Sequence, residues 1–475
     1  MTPPLARLLM PALRWQPETG FQHETPLIEQ ALELGVSGFI IFGGPAAEVQ
    51  ALTSRLASSV ERPLLLASDL ERGAGQQFAG LQELPPPRAL GSLDDLDAVR
   101  RAGAATARDA LSVGINWVFA PVADLDAEPD NPIVQTRAFG DDPAWAGACV
   151  AAWVEGCQGA GALACIKHFP GHGRTVTDSH AGLPLVTASR GELEDDLRPF
   201  RTGIRAGVAA CMTAHVAFPA LDPKRLPATV SPAILGMLRS ELGFSGAVVS
   251  DALIMEGAFE GRTEADAYVE AIAAGVDLLL YPRNLGLASD ALQEAQRSGA
   301  LTPGRIEAAL MRVSVLLEMQ ARLARTAATG DMPGVGTALA DRLLATPPLR
   351  GTIPALRQPL NVTIIDDDLG GPYPASPGDW IIRALEDAGV AFGSGGSRIV
   401  IAYSEPRAWK ERAGFGADAV ARLREFAPSA DLVVLFGHPR LSASIPGAAP
   451  ILVGWHRQRL MQEAVARWFM PRVSR

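Results

Sequence analysis

The chain has 475 residues, 48% of them apolar and 20% charged, a balance that supports a large buried core and excludes an extended disordered protein. Its formal charge of −10, from 42 basic and 52 acidic residues with no basic run, argues against nucleic acid or an anionic membrane as partner. The length exceeds one ordinary domain and suggests two.

The opening stretch, MTPPLARLLMPALRW, carries two early prolines and no small-residue cleavage site after its short apolar run, so no signal peptide is expected. No stretch approaches the roughly eighteen uninterrupted apolar residues of a membrane span. Cys149, Cys157, Cys165 and Cys211 lie in apolar surroundings, where buried free thiols are commoner than disulfides. A cytoplasmic protein is expected.

Eight short β-rich runs follow, at Arg7–Leu13, Ser37–Phe42, Pro63–Asp69, Asn116–Asp124, Leu163–Phe169, Ala210–His215, Ala247–Asp251 and Val276–Tyr281. Helical patterns separate them, for example Leu96–Leu111, Ala144–Gln158, Arg190–Ala206 and Ser231–Leu242, and a closing one covers Pro303–Leu323. Strands alternating with helices predict a parallel sheet, and eight such units predict a TIM (β/α)8 barrel over residues 1–325. A doubly wound open sheet reads similarly, but Asp69, Lys167 with His168, His215 and Asp251 end four separate strands. A barrel gathers such ends at one mouth.

Residues 326–359, rich in Gly, Ala and Pro, read as a linker with a short helix near Ala338–Leu344. A smaller C-terminal α/β sandwich domain is expected over 360–475, with strands Asn361–Asp366, Arg398–Tyr403, Asp431–Phe436 and Pro450–Val453. No phosphate-binding glycine fingerprint joins a strand to a helix there, so no nucleotide cofactor is expected.

The chemistry concentrates in the loop from Lys167 to His180, which follows an apolar strand with Lys167-His-Phe-Pro-Gly-His-Gly173 and then Asp178-Ser-His180. Asp178 and His180 are two apart, so in an irregular loop the carboxylate can orient the imidazole and raise its pKa. Such a histidine can protonate a leaving oxygen and then take a proton from water. Val248-Val-Ser-Asp251 ends an apolar strand in a carboxylate placed to attack a sugar's anomeric carbon. Taken alone it reads equally well as a helix N-cap. Asp69 ends Pro63-Leu-Leu-Leu-Ala-Ser-Asp and can accept from sugar hydroxyls, while Arg137 and Lys167 can donate to the same ring.

These segments resemble glycoside hydrolase family 3, in particular its β-N-acetylglucosaminidase branch. The motifs are Lys167-His-Phe-Pro-Gly-His-Gly173, Asp178-Ser-His-Ala-Gly-Leu-Pro184 and Ser250-Asp-Ala-Leu-Ile-Met255, with support from Phe119-Ala-Pro-Val122, Met212-Thr-Ala-His215 and Ala274-Gly-Val-Asp277. The resemblance implies Asp251 as nucleophile, His180 as acid/base and Asp178 as its partner, with Asp69, Arg137, Lys167 and His168 binding the terminal sugar. His215, at the same mouth, is an expected further contact. It also implies a small N-acetylglucosamine-containing carbohydrate substrate drawn from cell-wall fragments. Two positions depart from the pattern. Arg174 stands where the family usually has aspartate, and Gln77 where it usually has arginine.

Two other readings use the same residues. His168, His172, Asp178 and His180 could ligate zinc in a metal-dependent barrel hydrolase, against which Lys167 is a poor neighbour for a cation. No metal is expected. The departures at Arg174 and Gln77 would also suit a sugar-binding sensor without turnover.

Overall fold

The computed structural model describes residues 5–176, 182–327, 330, 332–370 and 375–474. The chain divides into two compact units. The first comprises Met1–Gln82, Asp95–Glu128 and Ala138–Pro333, and the second Glu83–Asp94, Pro129–Arg137 and Gly334–Arg475.

In the first unit the strands are β1 (Leu9–Met10), β2 (Ala12–Arg14), β3 (Gly38–Phe42), β4 (Leu65–Ser68), β5 (Trp117–Val118), β6 (Leu163–Phe169), β7 (Ala210–Thr213), β8 (Ala247–Val249) and β9 (Leu279–Leu280). Strands β2 to β8 pair in sequence order, all parallel. β1, separated from β2 by Pro11 alone, pairs in parallel with β9. β9 in turn meets β8 through a parallel bridge from Val249 to Leu278 and a Ser250 N–H donated to the Leu278 carbonyl at 3.1 Å. The ring of pairings is that of a TIM-barrel-like α/β fold.

The helices between the strands start where short polar side chains cap them. Asp95 accepts from the N–H groups of Asp97 and Ala98 before Leu96–Ser112. Asp142 caps Pro143–Gly159, Ser231 caps Pro232–Ser240 and Thr302 caps Pro303–Thr326. Ser189 and Glu192 form a capping box ahead of Arg190–Arg205. Each cap satisfies amide donors that a helix start leaves unpaired.

Most paired strands are shorter than the sequence suggests. Asp69, His215 and Asp251 lie one or two residues past the ends of β4, β7 and β8, and Asp124 two residues past the isolated Val122–Lys167 bridge that follows β5. Backbone that has left the ladder is free to turn these side chains toward one another, which a regular strand with its fixed alternation would prevent.

In the second unit β10 (Leu356–Arg357) pairs with β15 (Val473–Ser474), and β11 (Asn361–Asp366), β12 (Arg398–Ser404), β13 (Leu432–Gly437) and β14 (Ile451–Val453) form a parallel sheet in that order. Side chains of β12 alternate between two cores, as the two-residue period requires. Ile399, Ile401 and Tyr403 pack with Ile381, Leu385, Met461 and Val465, and Val400 and Ala402 pack with Ala419 and Leu423. The continuous apolar run of β12 is that of a strand covered on both faces. Among the described residues no helix is long and apolar enough to cross a membrane.

Candidate active site

Lys167, near the end of β6, is buried and lies between two carboxylates. Its Nζ donates to Asp69 Oδ1 at 2.6 Å and pairs with Glu71 Oε1 at 2.8 Å. Glu71 is as buried as the lysine, whereas the Asp69 side chain is 31% exposed. Only one of the two carboxylates therefore keeps a face on the mouth. A buried ammonium with two acidic partners stays charged.

His168 is held by Asp124. Its backbone N–H donates to Asp124 Oδ1 at 3.1 Å, and its Nδ1 lies 2.7 Å from Oδ2. A carboxylate can only accept, so Nδ1 carries a proton. The backbone N–H of His172 donates to the same Oδ1 at 2.7 Å. Burial alone would raise the Asp124 pKa, but the His168 and His172 contacts lower it below the usual carboxylate range. His172 is the opposite case. Burial, with His168 adding, pushes its pKa down to about 4, so its ring is neutral at pH 7.

Asp251 follows β8. Burial would raise its pKa, yet nearby His168 and His215, the Ala252 N–H donated to Oδ1 at 2.7 Å, and Lys167 hold it below its usual value. Asp251 is thus an ionised carboxylate beside the residues of β6. Fully buried His215 has its Nδ1 2.8 Å from Thr229 Oγ1 and its Nε2 3.3 Å from the carbonyl of Ala252. It braces the backbone next to Asp251.

The loop after β6 is pinned on both sides. Gly173 lies so close to the preceding loop that a Cβ there would come 2.0 Å from the Leu125 carbonyl oxygen. Arg174 donates from Nε to Asp196 Oδ2 at 2.6 Å, on helix Arg190–Arg205. The arginine that departs from the family pattern therefore has a partner of its own. Asp178 and His180 lie outside the described residues. Arg137 ends the 3-10 turn Gln135–Arg137, in a segment of the second unit.

The structure thus brings Asp69, Lys167, His168, His215 and Asp251 to one mouth and adds Glu71 and Asp124, to which the sequence reading assigned no role. Both carried a signal: Asp124 closes the fourth expected strand in a carboxylate, as Asp69 and Asp251 close theirs, and Glu71 is two residues from Asp69. Among the described residues no group of three or more His, Cys, Asp or Glu side chains is arranged to hold a metal ion. Gln77, the other departure, accepts the Gly43 N–H at 3.2 Å.

A parallel α/β barrel with charged groups converging beyond the C-terminal ends of its strands is the class of scaffold this mouth defines. The chain belongs to glycosyl hydrolase family 3, whose N-terminal domain matches residues 15–316. It is 36% identical over 294 residues to a β-N-acetylglucosaminidase/β-glucosidase of Cellulomonas fimi, covering 60% of this chain and 52% of that one. A β-hexosaminidase of Thiobacillus denitrificans is 36% identical over 269 residues, covering 54% of this chain and 74% of its own length. Over the whole chain the fold is similar to that of a glycoside hydrolase family 3 β-N-acetylglucosaminidase from Paenibacillus sp. str. FPU-7, with a TM-score of 0.84, 26% identity and 97% of that chain covered. The chain spans about half the length of the Cellulomonas relative.

Proposed function

We propose that the protein is a retaining exo-β-N-acetylglucosaminidase that removes terminal β-linked N-acetylglucosamine from peptidoglycan fragments in the cytoplasm. The observation that carries this reading is the ionised Asp251 carboxylate, with the Asp69–Lys167 pair and His168, fixed on Asp124, nearby. Membership of glycosyl hydrolase family 3 and the names of its relatives support the substrate class. The four cysteines are all buried free thiols, which fits a reducing compartment.

In this mechanism Asp69, Lys167, His168 and Arg137 bind the terminal sugar's hydroxyl and acetamido groups, and His215 keeps the Asp251 backbone in place. Asp251 attacks the anomeric carbon while His180, protonated and oriented by Asp178, gives its proton to the glycosidic oxygen, and the aglycone leaves as an alcohol. Water then attacks the same carbon, His180 takes its proton, and the Asp251 carboxylate is released with β configuration retained.

The test is turnover of a chromogenic β-N-acetylglucosaminide compared with the β-glucoside, with products examined in the presence of phosphate. Free N-acetylglucosamine rather than its 1-phosphate is expected. Asp251→Ala is expected to bind the sugar but to lose a factor on the order of a thousand or more in kcat. A near-normal rate in that variant sinks the nucleophile assignment, and binding without any turnover by the wild type favours a sensor.

A further inference from the structure

One arc of the barrel mouth, formed by the first, second and last strand positions, takes no part in the mechanism above, and it carries a cation without a counter-ion. Arg14 ends β2. Its Nε donates to the hydroxyl of Tyr281 at 2.7 Å, and its guanidinium carbon sits 4.4 Å from the centre of the Phe42 ring and 5.3 Å from that of Tyr281. Among the described residues no carboxylate pairs with it, and its two terminal nitrogens make no hydrogen bond. The ring contacts and the phenol fix the plane of the guanidinium and leave its two-nitrogen edge open, the edge that recognises a carboxylate with two parallel bonds.

Register places this arginine within the sheet. Arg14 is opposite Phe42 in the β2–β3 pair, and Ile40 is opposite Ala67 in the β3–β4 pair. Asp69 follows Ala67 by two positions, one residue beyond the end of β4. Residues directly opposite on paired strands share one face of a sheet. Arg14 and Phe42 therefore lie on one face of the sheet at the ends of β2 and β3, and Asp69, whose carboxylate meets Lys167, follows the same end of the neighbouring β4. Two strand spacings of about 4.8 Å, roughly 10 Å, separate the backbone ends that carry Arg14 and Asp69. Tyr281, which follows β9, has φ +51 and is held by a hydrogen bond to the Met10 carbonyl. A non-glycine residue kept in that conformation signals a side chain whose direction the fold constrains.

We propose that Arg14, with Phe42 and Tyr281 as its walls, is a binding subsite for a carboxylate carried by the sugar next to the terminal N-acetylglucosamine, as on the lactyl group of N-acetylmuramic acid. The assignment rests on the proposed glycosidase reading and deepens it, turning a general preference for N-acetylglucosaminides into one for acidic aglycones.

The experiment compares the disaccharide N-acetylglucosaminyl-β-1,4-N-acetylmuramic acid with its lactyl methyl ester, which differs only in the charge. In the wild type kcat/KM for the acid should exceed that for the ester roughly tenfold or more, the range of a charge-assisted bidentate contact. In Arg14→Met, which keeps the stem against the rings, the ratio should fall to near one, and Arg14→Lys should restore part of it. Calorimetric binding of the same two compounds gives the same ratio independently of turnover, so a protein that cleaves neither can still be scored. An unchanged acid-to-ester ratio in Arg14→Met, by kinetics or by binding, overturns the subsite. Absence of all cleavage with a charge-dependent binding ratio overturns the glycosidase reading alone.

Discussion

Asp196 and His172 face the same loop and make opposite contributions to stability in acid. Burial raises the Asp196 carboxyl to about 6, even with Arg174 lowering it, and Asp124 and Asp195 add to the rise. Its Oδ1 is buried and has no hydrogen-bond partner among the described residues, as suits a group that holds its proton. Because the folded pKa lies above the ordinary value of 3.8, the folded protein binds more protons between about 4 and 6, and this group's contribution falls as pH rises through that window. His172 is depressed from 6.5 to about 4, so the unfolded chain binds more protons there and the contribution of His172 rises with pH across nearly the same range. The two slopes oppose each other. Asp196→Asn removes one of them, and its melting temperature should climb more steeply than that of the wild type between pH 4 and 6.5. Parallel profiles in thermal melts of the two proteins would show that Asp196 does not titrate in that window.

At the scale of elements, the loop after β6 works because its backbone is packed against the loop after β5. Gly173 is the tightest point of that contact, and its carbonyl also accepts the Glu128 N–H at 3.2 Å. A methyl group at 2.0 Å from a backbone oxygen cannot be absorbed by rotating a side chain, so Gly173→Ala must move one loop or the other. A displacement near 1 Å at a catalytic constellation costs about a hundredfold in rate. Gly173→Ala is therefore expected to lower kcat/KM on the order of a hundredfold while the far-ultraviolet circular dichroism stays native. Full activity would mean that this contact does not position the site. Motif spacing exposed the loop as chemical, but the need for glycine here arises from Leu125, 48 residues earlier in the chain. No local pattern contains that distance.

At the scale of the molecule, the opposite end of the first unit is held by charge. Asp277 precedes β9 and is fully buried, yet it receives Arg239 at 2.6 Å, Arg305 at 2.9 Å and Arg312 at 3.3 Å, from helices Pro232–Ser240 and Pro303–Thr326. It ties the last strand of the ring to two helices at the strands' N-terminal side, the face that serves stability in a barrel. Asp277→Ala strands three guanidinium groups and should cost about 3–5 kcal/mol in urea unfolding. Its kcat/KM well below the melting temperature should stay within about twofold. A large loss of activity in a stable variant would show that Asp277 reaches the site through the fold.

Periodicity alone placed β6, β11 and the helix starting at Arg190 close to where they lie, because alternation, helical period and capping residues act over a few neighbours. The mouth was legible for a related reason: strands that end in Asp69, Lys167 and Asp251 must bring those residues to one face once the strands are parallel. What the linear pattern left open was which of these groups would meet and with what charge. Glu71 under Lys167, Asp124 under His168 and Asp196 under Arg174 are pairings of residues 22 to 96 positions apart. At those contacts burial raises the Asp196 carboxyl, while the histidines lower that of Asp124. Both distance and desolvation exist only once the chain has closed on itself, which is why the residues could be named in advance and their partners could not.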